Sequence, residues 1–114
     1  MKRDATLFLQ DIIDSIESIF AFIEGYNYEK FRNDDKTQSA VIRKIEIIGE
    51  AVKNIPGNIL TDYPDIEWSY MAKMRDRLIH GYFDSDPEII WKTVHTNLPE
   101  IPPKIANIIN KLKD

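Results

Sequence analysis

Arg75, His80 and Tyr82 fall within eight residues, in the stretch Met74-Arg75-Asp76-Arg77-Leu78-Ile79-His80-Gly81-Tyr82. They supply a permanent cation with a forked donor set, an imidazole that titrates near neutral pH, and a phenol. Such a group could hold an anion and move a proton beside it. The arginine also stands where an apolar residue would be expected. At about 100° per residue, Trp68, Met71, Ala72, Leu78 and Ile79 share one helical face, and Arg75 projects from its middle. An unpaired guanidinium in a core would cost several kcal/mol. This face is therefore expected to border a cleft or a subunit interface where the charge can meet an anion.

The spacing leaves one geometric question open. On an ideal helix, Arg75 and His80 point about 140° apart, and His80 shares a face with Lys73 and Arg77. Either the helix end unwinds at Gly81 and turns the imidazole, or the two groups meet across a dimer. Failing both, Arg77 is the alternative working cation.

The elements that must position these residues are helical. Residues 4 to 24 carry Phe8, Ile12, Ile16, Ile19 and Ile23 at three- and four-residue spacing, with acids mostly opposite, and Gly25 follows as a stop. A short segment spans Tyr28 to Phe31, and Asn33, Asp34 and Asp35 form a turn or cap. A second long helix, 36 to 54, has Val41, Ile45, Ile48, Val52 and Ile55 on its stripe. Gly49 lies inside it, at a cost of about 1 kcal/mol relative to alanine, for which a close helix contact would compensate. Pro56-Gly57-Asn58 breaks the chain, and a third helix is expected from about 66 to 80. Ser85 and Glu88 have capping-box spacing around Pro87, ahead of a fourth helix with Ile89, Ile90, Trp91 and Val94. Pro99, Pro102 and Pro103 should kink or split it before a last helix from roughly 103 to 112.

Size and composition bound the class of protein. A chain of 114 residues with 43% hydrophobic residues is one globular domain with a single core. Its apolar runs are broken by charges, and its N-terminus leads straight into an amphipathic helix, so neither a membrane span nor a signal peptide is expected. The absence of cysteine excludes disulfides and thiolate zinc sites and suits a cytoplasmic protein. His80 and His95 are too few and too far apart to suggest a metal centre. A net charge of −4 counts against a general nucleic-acid coat protein, but Lys73, Arg75 and Arg77 crowd one short stretch. A small basic site on an acidic body fits transient handling of a phosphodiester.

Each residue also has an ordinary structural role open to it. Arg75 could be an ion-pair partner of Glu50 or Asp76, with Asp76 orienting Arg75 or His80. His80 could simply favour the helix C-terminus, and Tyr82 could be a half-buried packing residue. Trp68 and Trp91 read as core rather than as base-stacking platforms. His95 reads as surface or interhelix packing, and Lys104, Lys111 and Lys113 as a solvated tail face.

Ile47-Ile48-Gly49-Glu50-Ala51, then Trp68, Met74-Arg75-Asp76, Leu78-Ile79-His80-Gly81-Tyr82 and Trp91, resemble the HepT-like family of HEPN domains. The resemblance covers nearly the whole chain, including the order of its elements. The family motif is arginine, a polar residue, three further positions, histidine, any residue and tyrosine. Arg75, Asp76, His80 and Tyr82 match it position by position. The resemblance implies one HEPN-like domain over residues 1–114, an all-α, four- to five-helix up-and-down bundle, homodimeric, with two motifs facing each other across a cleft. It implies a metal-independent endoribonuclease, the toxin of a toxin–antitoxin pair, with Arg75 and His80 catalytic, Asp76 supporting, and no metal or cofactor. The implied partner is a minimal nucleotidyltransferase antitoxin that transfers AMP to the motif tyrosine, here Tyr82. Two features depart from the family pattern: aspartate stands at 76 where asparagine is commoner, and Pro102-Pro103 interrupts the terminal helix.

The residue types suit that chemistry. RNA can be cut when its own 2′-hydroxyl attacks the neighbouring phosphorus, leaving a 2′,3′-cyclic phosphate. The step needs a base, an acid and a cation. An imidazole can serve as either proton-transfer group, and a guanidinium matches phosphate oxygens. One His80 per chain supplies one proton-transfer group, and a dimer supplies two. The alternative reading is a catalytically weak module of the same fold, binding nucleotide or RNA or serving as a structural partner of the nucleotidyltransferase.

Overall fold

Short polar side chains start four of the helices. Asp4 accepts from the Thr6 amide, Asn27 from Lys30, Asp34 from Thr37 and Asp86 from Glu88, each satisfying an amide that the helix itself leaves unpaired. The computed structural model describes residues 4–80 and 86–113, apart from the side chains of Ile79 and His80. Among the described residues every regular element is a helix: α1 (Ala5–Phe22), α2 (Tyr28–Arg32), α3 (Asp35–Lys53), α4 (Gly57–Asp62), α5 (Trp68–His80), α6 (Pro87–Asn97) and α7 (Ile101–Lys113). The all-α expectation holds, with two short helices, α2 and α4, beside five longer ones. None of the described helices is long and apolar enough to cross a membrane.

Most of the apolar stripe read from the sequence is buried, although Phe8, Ala72, Ile89 and Trp91 are only partly so and α1 also buries Leu9 and Ile13. Ile12, Ile16 and Ile19 of α1 meet Val41, Ile45, Ile48 and Val52 of α3, and all are almost fully buried. Each such side chain contributes about 1.5–3 kcal/mol relative to an exposed one. On its other flank α3 packs against α5, which buries Trp68, Met71, Met74 and Leu78. α7 closes over α1 with Ile105 and Ile108. Trp68 is core, its indole N–H donating to the Tyr63 carbonyl at 2.9 Å. Trp91 is half-buried and joins the α2–α6 contact, its ring 5.1 Å from Phe31 and 4.2 Å from His95.

Several boundaries differ from expectation. α1 stops at Phe22, and the chain turns through Gly25 at φ 78°, a conformation glycine adopts without strain. α4 forms directly after Pro56, where a break alone was expected. The expected split does occur, between Asn97 and Ile101 around Pro99, but Pro102 and Pro103 lie beyond it. They occupy the first turn of α7, where amides have no intrahelical partner to lose. The fourth long helix is capped by Asp86, and the expected Ser85–Glu88 box involves Ser85, which lies outside the described residues. The lysines of α7 are not merely a solvated face. Lys104 reaches the Asp65 carboxylate at 3.6 Å, and Lys111 stands over the Tyr63 ring at 5.7 Å, tying α7 to the segment ahead of α5.

Candidate active site

At Gly49, α3 and α5 approach too closely to leave room for a side chain. A Cβ built on it would lie 2.1 Å from Cβ of Arg75, 2.8 Å from its Cγ and 3.0 Å from the Met71 carbonyl oxygen. The aliphatic stem of Arg75 therefore lies on bare backbone, as the mid-helix glycine led one to expect. The stem leaves the core side of α5 and carries the guanidinium to the edge of α3, where its side chain is 23% exposed.

There the guanidinium is held from both sides. Nη2 pairs with Glu50 Oε2 at 2.9 Å and Nη1 with Asp76 Oδ1 at 3.0 Å. The Nε–H is buried and has no hydrogen-bond partner among the described residues. Asp76 Oδ1 also takes an ion pair from the Lys53 ammonium. The Lys53 ammonium first, and then Arg75, hold the Asp76 carboxyl below the usual carboxylate range. Asp76 thus stays ionised at neutral pH, shared between two cations.

Arg75 opens onto a cleft of about 370 Å³ between α1 and α3, which Phe8, Asp11, Arg43, Glu46 and Glu50 also line. Two guanidinium groups and three carboxylates make it a polar, mixed-charge site. A larger concavity of about 690 Å³ lies elsewhere, walled by Val52, Ile55, Leu60, Ile66 and Trp68, with Lys53 at its edge. It holds none of the motif residues and is mostly apolar, whereas the smaller cleft holds Arg75 and a second guanidinium, Arg43.

The described geometry separates the two arginines of the motif segment. Arg77 is exposed and shares a small depression with Tyr70, Lys73 and Ile89, on the flank of α5 away from Arg75. Among the described residues no cluster of three or more His, Asp or Glu side chains is placed to hold a metal ion.

Residues 12–108 match the sequence model of the family described as ribonuclease HepT-like. The chain belongs to that family. Curated relatives of similar length agree. A Methanocaldococcus jannaschii protein, named as a candidate RNase, is 42% identical over 112 residues, covering 98% of this chain and 93% of the relative. A Thermococcus cleftensis protein named probable ribonuclease HepT is 46% identical over 108 residues, covering 95% and 98%. A further candidate RNase, from Caldanaerobacter subterraneus, is 36% identical over 106 residues, covering 93% and 95%. No solved structure matches the chain significantly.

In this HepT-like chain, the structure brings Arg75 and Asp76 together with Glu50, the partner suggested by the sequence. His80 is the last residue of α5, and the position of its side chain lies outside what is described. Tyr82 and Gly81 lie outside the described residues. Lys53 and Arg43 were not anticipated. The signal for Lys53 was available in the glycine: Gly49 marks the face of α3 that meets α5, and Lys53 stands one turn later on that face.

Proposed function

We propose that this HepT-like protein is a metal-independent endoribonuclease, the toxin of a toxin–antitoxin pair, in which Arg75 and His80 carry the reaction. The observation that carries the reading is the setting of Arg75. Its stem is fixed against Gly49, its guanidinium is oriented by Glu50 and Asp76, and it opens on a polar cleft in a chain of ribonuclease family. A guanidinium held in place stabilises negative charge on phosphorus without having to reorganise. His80 supplies the proton transfer, and a homodimer brings a second His80 so that one imidazole acts as base and the other as acid. Asp76 supports Arg75 by orienting it. The implied partner is a minimal nucleotidyltransferase, which silences the toxin by placing AMP on Tyr82.

RNA cleavage by the purified protein in excess EDTA tests this reading. Activity should persist, and the products should end in a 2′,3′-cyclic phosphate. His80→Ala and Arg75→Ala should each abolish cleavage while the helical circular dichroism spectrum stays intact. Cleavage by His80→Ala at the wild-type rate overturns the assignment, and an active Arg75→Ala beside a dead Arg77→Ala reassigns the cation.

One observation favours a second reading. Both arms of the Arg75 guanidinium already face carboxylates, which suits a catalytically weak module that binds nucleotide or RNA, or engages the nucleotidyltransferase, without cutting. Glu50 is 58% exposed, however, so an incoming phosphate can displace it at little cost. That exposure makes the ribonuclease the better reading.

A further inference from the structure

Lys53 stands outside the motif, yet the charge balance at Arg75 depends on it. Arg75 faces two carboxylates, Glu50 at 2.9 Å and Asp76 at 3.0 Å. Those three groups alone carry a net negative charge, a poor host for phosphate. The Lys53 ammonium removes one unit of that negative charge, and it does so at the same Asp76 oxygen that Arg75 uses. We propose that Lys53 is a positioning residue of this site, neutralising Asp76 so that the Arg75 guanidinium keeps its attraction for an RNA phosphate. The inference rests on the ribonuclease reading above.

Direct contact between Lys53 and RNA fits the geometry less well. Its ammonium is engaged by Asp76, and its side chain runs along the edge of the apolar concavity, while the polar cleft beside Arg75 is built without it. An ion pair that only joins α3 to α5 would matter for stability and not for substrate affinity. Lys53 and Asp76 are 37% and 45% exposed, so the pair adds little to stability and its removal should leave the fold intact.

A double-mutant cycle separates these roles. The chains are wild type, Lys53→Met, Asp76→Asn, the double variant and Lys53→Arg. Each is assayed twice, by anisotropy with a labelled 2′-O-methyl RNA oligonucleotide that cannot be cut, and by steady-state cleavage of the ordinary RNA. Lys53→Met should weaken binding and raise KM by about three- to tenfold, the effect of one unit charge a few ångström away at a partly exposed site, with kcat changed less. Lys53→Arg should restore both. In the Asp76→Asn background the Lys53→Met change should have no further effect, because the charge it answers is gone. An equal loss in both backgrounds overturns the proposal in favour of direct contact with RNA. No loss in either overturns it outright. Wild type that binds the oligonucleotide but cuts no RNA overturns the ribonuclease reading while the binding cycle still decides the role of Lys53. Wild type that does neither overturns both.

Discussion

Replacing Gly49 by alanine isolates the contact on which the site is built. On helix propensity alone, the change should stabilise α3 by about 1 kcal/mol. The packing argues the opposite. The new methyl would sit 2.1 Å from Cβ of Arg75, well inside the 3.4 Å at which ordinary contact begins, and 3.0 Å from the Met71 carbonyl. Neither atom is the free end of a flexible chain, so α3 and α5 must separate and loosen the layer of Ile45, Ile48, Met71 and Met74 between them. Overpacking of this kind costs about 1–3 kcal/mol, and a contact this short belongs at or above the upper end of that range. The net result is a loss of about 2 kcal/mol, which lowers Tm by roughly 6–12 °C for a chain of this size. Urea and thermal melts followed by far-ultraviolet circular dichroism read it directly. A rescue sharpens the test. Arg75→Gly removes both nearest atoms, so Gly49→Ala with Arg75→Gly should be more stable than the sum of the two single changes by at least about 1 kcal/mol. Arg75→Ala, which keeps the Cβ, should give no such rescue. Gly49→Ala as stable as wild type would refute the reasoning, since α3 and α5 would then have room for a methyl.

Acid should reveal a second contact. The Tyr26 hydroxyl, donating to Asp34 at 2.6 Å, is the main reason the Asp34 carboxyl falls from 3.8 to about 2, with Thr37 adding to it. A depressed carboxyl contributes stability above pH 3.8 that is lost as pH falls toward 2. The Tm gap between wild type and Tyr26→Phe should therefore be widest above that window and narrow through it, and a gap independent of pH would show that the hydroxyl does not act on Asp34. Light scattering at micromolar concentration should report a dimer, and a monomer would remove the case for paired histidines. Co-expression with the cognate nucleotidyltransferase and ATP should add AMP mass to the peptide containing Tyr82, and Tyr82→Phe should fold and escape the modification. Modification mapping to Tyr63 or Tyr70 instead would withdraw that role from Tyr82.

The long helices, most of their buried faces and the family were legible in the residues alone. A repeat of 3.6 residues is a local property, so the stripes of α1 and α3 could be read without knowing their neighbours. The motif is local too: Arg75, Asp76, His80 and Tyr82 lie within one helix and the turn expected after it. Even the close approach at Gly49 left a trace, because a glycine inside a long helix is costly without a neighbour to justify it. Tertiary structure decided what that neighbour was. Lys53 and Asp76 are 23 residues apart in the chain, and nothing in the spacing says how α3 and α5 are rotated against each other. That rotation sets Glu50 and Lys53 beside the Arg75–Asp76 pair and leaves Arg77 on the opposite flank. The same holds for Lys104, whose partner Asp65 is reached only after α7 has folded back. The short segment Tyr28–Arg32 was anticipated, but α4 was missed for a related reason. A helix of six residues such as α4 is too short to show a period, and a proline reads as a break until the packing places it in the first turn of a helix. Periodicity records which face of a helix is buried, and only the packed fold records against what.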